Sequence, residues 1–258
     1  MSVMMRIARN PDELAAGAAE FVVRCAGQAM AEHGCFTIAL AGGATPRLAY
    51  GLLAREPMAG RMPWEHVHVF WSDERNVPPD HPDSNYLMAH AALLSLVPIP
   101  TANIHRMPGE AKPEEAARHY HDEVLTFFFD RKLLTAGDGR RRPRFDLILL
   151  GLGSDGHTAS LFPGSSAIEE RDRLVVAWYV DSLEAWRITF TPWLINGAAR
   201  ICFLVAGERK AAVLKTVLEG PRRPMELPAQ AVRPVHGNLF WLLDEAAAAL
   251  LHNQREKR

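Results

Sequence analysis

The stretch FDLILLGLGSDGH, residues 145–157, joins an apolar run to a glycine-rich turn and decides the fold class. The run from Phe145 to Leu150 predicts a strand buried on both faces, as in a parallel sheet covered by helices. The glycines at 151, 153 and 156 match the G-x-G-x-x-G spacing of dinucleotide-binding turns. Two hypotheses follow: the turn holds a dinucleotide, or His157 at its end carries out chemistry.

The rest of the chain alternates apolar strands with amphipathic helices. Strands are predicted at residues 36–40, 67–71, 145–150, 174–178, 187–190, 201–205 and 239–243. Helices are predicted from Pro11 (capped by Asn10), from Pro46, and over about 85–96, 113–129 and 208–218. This order indicates an α/β fold with a doubly wound, mostly parallel, Rossmann-like sheet and helices on both faces. We expect one domain over residues 1–258, with a solvated surface loop from Arg131 to Arg144.

Composition excludes several classes of function. Lys and Arg total 29 against 30 Asp and Glu, so no basic field exists for nucleic acid or an anionic membrane surface. The three cysteines are odd in number and lack C-x-x-C spacing, which argues against a disulfide scaffold or a cysteine zinc site. No apolar stretch approaches the roughly 18 residues of a membrane span. We expect a soluble, cytoplasmic protein without a metal, since the histidine pairs at 66/68 and 119/121 lack a third ligand.

The dinucleotide hypothesis for the 151–157 turn is the weaker one. Asp155 would place a carboxylate inside the pyrophosphate loop, Pro163-Gly164 interrupts any following helix, and only Asp181 loosely supplies the distal acid. A serine-hydrolase elbow also fails, because Leu152 stands where that motif needs glycine. The Asp155-Gly156-His157 turn instead places a carboxylate beside an imidazole, the side chain suited to general-base catalysis at neutral pH. The alternative is a structural histidine bonded to backbone.

Three other strand ends carry candidate binding groups. In LAGGATP, residues 40–46, the backbone of Gly42, Gly43, Ala44 and Thr45 could form a phosphate cradle, with Thr45 as cap and Pro46 at the first helical position. The alternative is an ordinary strand-to-helix turn.

Charged side chains mark the remaining strand ends. Asp73, Glu74 and Arg75 directly follow a strand, at the edge where α/β sheets bind ligands. Lys210 stands in the first turn of a helix, where a cation is unfavourable without an anion nearby, and Arg187 begins a strand. The alternative for the residues after the strand is a solvated loop. For Arg187 and Lys210 it is ordinary surface charge.

Six segments in this order resemble the 6-phosphogluconolactonase family, which is similar to the glucosamine-6-phosphate deaminases: LAGGATP, DERNVPPDHPDSNY, GLGSDGHTASLFPG, RITFTP, GERKAAVL and LPAQAVRP. The resemblance runs from Phe36 to Asp244. It implies hydrolysis of 6-phospho-D-glucono-1,5-lactone. Because a lactone is an activated ester, a positioned water, a base and electrostatic stabilisation suffice, and we expect no cofactor. We also expect a monomer or small homo-oligomer. The resemblance also implies that His157 is the general base and Asp155 its orienting neighbour, with Asp73 a further candidate catalytic residue. Phosphate or oxyanion contacts would come from Arg75, Arg187, Lys210 and the 42–45 backbone.

Some positions depart from that family or from its relatives. Ala41 and Ala44 replace the serines of the common S-G-G-S-T-P loop, so a hydroxyl contact at Ala44 is lost. The deaminases resemble D-E-Y where this chain has Arg75, and they carry a glutamate soon after the histidine, where this chain has Ala159-Ser160-Leu161. An amino-sugar-phosphate deaminase/isomerase with Asp73 as base, and a non-catalytic sugar-phosphate sensor, are the alternative functions.

Overall fold

A computed structural model describes residues 2–137 and 140–252 of the chain. Its main sheet has six strands, all parallel: β1 (Ser2–Ala8), β2 (Phe36–Leu40), β3 (Val67–Trp71), β7 (Leu147–Leu150), β10 (Arg200–Val205) and β11 (Asn238–Asp244). The strand order is β1-β11-β10-β7-β2-β3. The predicted strand positions at 36–40 and 67–71 are confirmed to the residue, whereas β1 was not predicted.

The helices divide between the two faces of this sheet. One face carries α1 (Pro11–His33), α2 (Ala44–Leu53) and α3 (Asn85–Ala89), which continues as a π-helical turn over His90–Leu94. The other face carries α4 (Pro113–Asp130), α5 (Pro192–Ile195), α6 (Ala211–Glu219) and α7 (Glu245–Ala248). Short 3₁₀ turns fill several connections, including Glu208–Lys210 ahead of α6. The predicted doubly wound α/β class is therefore confirmed.

Side chains of the central strands alternate between two separate cores. In β10, Ile201 and Phe203 pack with the α4 side, whereas Cys202 and Leu204 pack with the α1 side. All four are at most 2% exposed, which explains why the strands read as continuous apolar runs. Helix α1 begins as predicted, since the Asn10 side chain accepts a hydrogen bond from the Glu13 N–H at 2.9 Å.

Two predicted strands lie outside the main sheet. β8 (Val175–Val180) and β9 (Ala185–Phe190) pair antiparallel with each other, and β9 pairs antiparallel with β4 (Asp73–Arg75). The expectation that they join the parallel sheet was wrong, because the 3₁₀ turn Asp181–Leu183 joins them too tightly for a parallel crossover.

The segment from Arg131 to Arg144 is solvated in part, as expected, since Arg131, Arg140 and Arg141 are exposed, but it is not an irregular loop. It contains a hairpin of β5 (Leu134–Gly137) and β6 (Arg140–Pro143). Arg142 is 2% exposed, and its guanidinium lies 3.4 Å from the ring centroid of Trp193. The apolar stem of the arginine and its stacking on an aromatic ring allow this burial.

Across residues 2–137 and 140–252, no helix combines the length and apolar character needed to cross a membrane. The same residues contain no group of three or more potential ligands that could hold a metal ion.

Candidate active site

Two glycine-containing loops meet where the direction of the strand connections reverses. The chain passes from β2 to β3 on one side, and from β7 to β10 and β11 on the other, while β2 and β7 are neighbours. Open α/β sheets bind ligands outside the carboxyl ends of their strands at such a switch point. The loops after β2 and β7 line one cavity of about 280 Å³ there.

The turn after β7 orients His157 through Asp155. Nδ1 of His157 lies 2.6 Å from Oδ1 of Asp155, and the same oxygen accepts the His157 backbone N–H at 3.1 Å. A proton on Nδ1, donated to the carboxylate, leaves Nε2 with a free lone pair. The imidazole is 31% exposed and lies 4.3 Å, centroid to centroid, from the Phe162 ring. His157 and Asp155, which we call the dyad, thus have the geometry of a base and its orienting group.

Glycines are required at two positions of this turn. A Cβ on Gly153 would lie 2.1 Å from Nδ1 of His157 and 2.6 Å from the Asp155 carboxylate, so the dyad sits directly against that residue. Gly156 has φ +83°, and a Cβ there would meet Leu227 at 2.7 Å. No long helix follows: the next helical element is the 3₁₀ turn Ser166–Glu169. This agrees with the weakness of the dinucleotide hypothesis.

The loop after β2 differs in detail from the prediction. Helix α2 begins at Ala44 with Gly43 at the cap position, φ +103°, and no side chain caps it. Thr45 as cap and Pro46 at the first helical position were therefore wrong, because the helix starts two residues earlier than predicted. Gly42 and Gly43 line the cavity, whereas Ala44 and Thr45, in the first turn of α2, do not. A Cβ on Gly42 would lie 2.0 Å from Oδ1 of Asn85.

The three residues of β4 have different environments. Asp73 lines the cavity, and its Oδ2 accepts a 2.7 Å hydrogen bond from the Ser160 hydroxyl. Glu74 is 2% exposed and accepts the backbone N–H groups of Asn85 and Tyr86 at the start of α3, at 2.7 and 2.8 Å. Burial raises the pKa of Glu74, and these backbone hydrogen bonds oppose the shift. Glu74 therefore anchors α3, whereas Asp73 faces the cavity.

Three predicted cations lie at the site without a carboxylate partner among the described residues. Arg75 and Arg187 stand directly opposite each other on β4 and β9. Lys210 lines the main cavity with Arg75, while Arg187 lines an adjoining cavity of about 330 Å³ that also contains Arg75, Asp155 and His157. Burial, followed by the Arg75 charge, lowers the pKa of Arg187. Burial likewise lowers the pKa of Lys210, opposed by Asp155. Such an unbalanced cluster favours an anion between the two cavities.

Two polar residues of the site were not predicted from the sequence. Asn85 is 3% exposed, lines the main cavity and donates from Nδ2 to the Asp73 carbonyl at 3.0 Å. The hydroxyl of Ser160 donates a hydrogen bond to the Asp73 carboxylate. Both lie within the quoted segments DSNY and DGHTAS, but only their contacts across the fold distinguish them from neighbouring polar residues.

A cavity of this size and charge at a switch point is typical of α/β proteins that bind small anionic molecules. The chain belongs to the family of glucosamine-6-phosphate isomerases and 6-phosphogluconolactonases, whose profile matches residues 9–241. The chain is 48% identical over 221 residues to the 6-phosphogluconolactonase of Synechocystis sp., covering 85% of this chain and 86% of that one. It is 43% identical over 224 residues to the enzyme of that name from Nostoc sp., covering 86% and 88%.

Solved structures agree with this assignment. The 6-phosphogluconolactonase of Trypanosoma brucei superposes with a TM-score of 0.84 at 29% identity, covering 97% of this chain and 99% of that one. A monomeric glucosamine-6-phosphate deaminase superposes with a TM-score of 0.79 at 22% identity, covering 97% and 100%, which shows a shared fold. The family predicted from the six quoted segments is confirmed.

Proposed function

We propose that this protein hydrolyses 6-phospho-D-glucono-1,5-lactone to 6-phospho-D-gluconate, the lactonase step of the oxidative pentose phosphate pathway. Relatives at 48% and 43% identity bear the name of this activity. The single observation that carries the mechanism is the 2.6 Å contact between His157 and Asp155 in a cavity that also contains Arg75.

In this mechanism Nε2 of His157 removes a proton from a water molecule as the water oxygen bonds to the lactone carbonyl carbon. The carbonyl electrons move to oxygen, and nearby cations stabilise the oxyanion. Collapse of this intermediate breaks the bond between the carbonyl carbon and the ring oxygen, and the imidazolium returns the proton to that oxygen. Asp155 keeps Nδ1 protonated throughout and stabilises the transient imidazolium.

The phosphate of the substrate needs cations at a fixed distance from the reacting carbonyl. Arg75, Arg187 and Lys210 supply positive charge on cavities that both contain His157. We assign to these three side chains, with the 42–45 backbone, the contacts to the phosphate or to the developing oxyanion. Binding the remote dianion orients the carbonyl against the base, which lowers the barrier to attack.

The second candidate is an amino-sugar-phosphate deaminase/isomerase, favoured by one observation. Asp73 places a carboxylate in the cavity, and only its Oδ2 is held by Ser160, so Oδ1 could serve as a base for proton transfer between carbons. Lactone hydrolysis remains the better fit, because the three residues following Thr158 supply no further carboxylate. A sugar-phosphate sensor would not need the oriented imidazole.

A direct comparison of substrates tests the proposal. Freshly generated lactone and glucosamine 6-phosphate are offered separately to the enzyme, with acid release and ammonia release measured above the spontaneous rates. We expect accelerated lactone hydrolysis and no ammonia. Ammonia release without lactone hydrolysis would support the deaminase, and neither reaction, together with binding of 6-phosphogluconate, would support the sensor.

The proposal includes a single α/β domain, a cytoplasmic location, and a monomer or small homo-oligomer that acts without a metal or cofactor. The three cysteines support the location, because all are free thiols in the structure.

A further inference from the structure

A further cavity, of about 230 Å³, shares no lining residue with either of the two active-site cavities. Arg171, Arg222 and Arg233 line it, and they come from three separate segments of the chain. Ile168 and Met225 supply part of an apolar wall. We call it the arginine cavity.

Three carboxylates of the same segments of the chain are already committed to other partners. Each forms a short ion pair with a different arginine, 2.6–2.8 Å in length: Glu170 with Arg173, Asp172 with Arg140, and Glu226 with Arg223. By contrast, no hydrogen bond or ion pair involves the side chains of Arg171, Arg222 or Arg233 within residues 2–137 and 140–252. Ion pairs therefore neutralise Arg140, Arg173 and Arg223. Among the described residues, the three arginines of the cavity have no such pair.

The charge of the cavity lining is strongly unbalanced. The lining residues include three arginines and one carboxylate, Glu169, which gives a formal excess of 3 − 1 = 2 positive charges. Like charges on a common concave surface repel one another, and a bound anion removes that repulsion.

The backbone at two of the arginines, and beside the third, is held by side chains. The N–H of Arg233 donates to Oδ1 of Asn196 at 2.6 Å, and the N–H of Arg171 donates to Glu170 at 2.9 Å. Next to Arg222, the N–H of Arg223 donates to Oε1 of Gln230 at 2.6 Å. These contacts hold the backbone at the cavity, whereas the side chains of the three arginines are exposed and free to adjust to a ligand.

We propose that the arginine cavity binds a small oxyanion of the phosphate class that carries at least two negative charges. Guanidinium groups suit such ligands because their parallel N–H donors match pairs of phosphate oxygens. Two or more negative charges are needed to balance the excess of the lining.

Calorimetric titration with inorganic pyrophosphate tests the proposal, because the stoichiometry separates this cavity from the active site. The wild-type protein is compared with two triple alanine variants. One removes the cations of the arginine cavity, Arg171→Ala, Arg222→Ala and Arg233→Ala; the other removes those of the active site, Arg75→Ala, Arg187→Ala and Lys210→Ala. We expect two bound pyrophosphates in the wild type and one in each variant.

A charge-matched control separates a specific site from general attraction. The variant Arg24→Ala, Arg47→Ala, Arg55→Ala also loses three exposed cations, and it should keep both pyrophosphates. Equal loss of affinity in this control would overturn the proposal. So would a wild-type stoichiometry of one that disappears only with the active-site cations.

A gain-of-affinity variant tests the proposal even if the triple alanine variant of the arginine cavity fails to fold. Glu169→Gln removes the one carboxylate of the lining and with it the repulsion between that carboxylate and a bound anion. Because one exposed charge contact is worth up to about 1 kcal/mol, the affinity of this cavity for pyrophosphate should rise several-fold. Unchanged or weaker binding by Glu169→Gln would contradict the proposal.

Discussion

Alanine at Gly153 would disturb the dyad without removing either of its members. The added Cβ would lie 2.1 Å from Nδ1 of His157, whereas ordinary contacts begin near 3.4 Å. The imidazole must therefore move by about 1 Å or more, which breaks the 2.6 Å hydrogen bond to Asp155 and displaces Nε2. A misplacement of about 1 Å costs roughly 10²-fold in rate, or about 2.7 kcal/mol in the activation free energy. We expect kcat for lactone hydrolysis to fall by about this factor.

The matched control for this variant is Gly27→Ala. Gly27 lies inside α1, and a Cβ there meets no atom within 4 Å. This substitution should leave kcat unchanged and raise the free energy of unfolding by about 0.5–1 kcal/mol, the difference in helix propensity between the two residues. Initial rates on fresh lactone, corrected for spontaneous hydrolysis, give kcat for both variants. Wild-type kcat in Gly153→Ala would refute the assignment of the dyad as the catalytic centre.

Three further predictions concern binding and stability. Arg187→Ala should raise KM about tenfold or more, because it removes charge-assisted hydrogen bonds to the substrate; an unchanged KM in steady-state kinetics would contradict that role. Burial, followed by the Arg131 and His105 charges, lowers the pKa of His68 to about 4, so between about pH 6.5 and 4 the unfolded chain binds a proton that the folded chain does not. The free energy of unfolding should therefore fall by up to about 3 kcal/mol as pH drops through this window. Denaturant titrations of His68→Gln at several pH values should show a smaller fall. The same pH dependence in the wild type and the variant would exclude His68 as the cause. Asn10→Ala should lower the free energy of unfolding by about 1 kcal/mol through loss of the cap on α1, measured by urea titration, and no change would mean that the cap contributes nothing.

The sequence predicts those elements whose signals are local. The bounds of β2 and β3 follow from short buried runs, and the start of α1 follows from its capping residue. β1 was missed because its parallel pairing with β11, more than 200 residues away, leaves no local signal in a mixed stretch. Strand direction is equally absent from an apolar pattern, which is why β8 and β9 were placed in the wrong sheet.

The residues of the active site also divide into those with a local signal in the sequence and those without one. His157, Asp155 and Arg75 could be found because each combines reactive chemistry with a strand end, and the structure places all three on one cavity. Asn85 and Ser160 could not, since their importance rests on contacts with Asp73 from distant parts of the chain. Details of the helix start at Ala44 depend on backbone geometry at Gly43, which residue type alone does not fix.

The most direct test of the central claim, that the imidazole of His157 activates water against the lactone, is the turnover of His157→Gln. Its control is His66→Gln, at an exposed histidine outside the lining of both active-site cavities. Both proteins are assayed with fresh lactone, and binding of 6-phosphogluconate is measured in parallel. We predict a fall in kcat of about 10²- to 10⁴-fold for His157→Gln with product binding retained, and full activity for the control. Undiminished lactone turnover by His157→Gln would contradict the account.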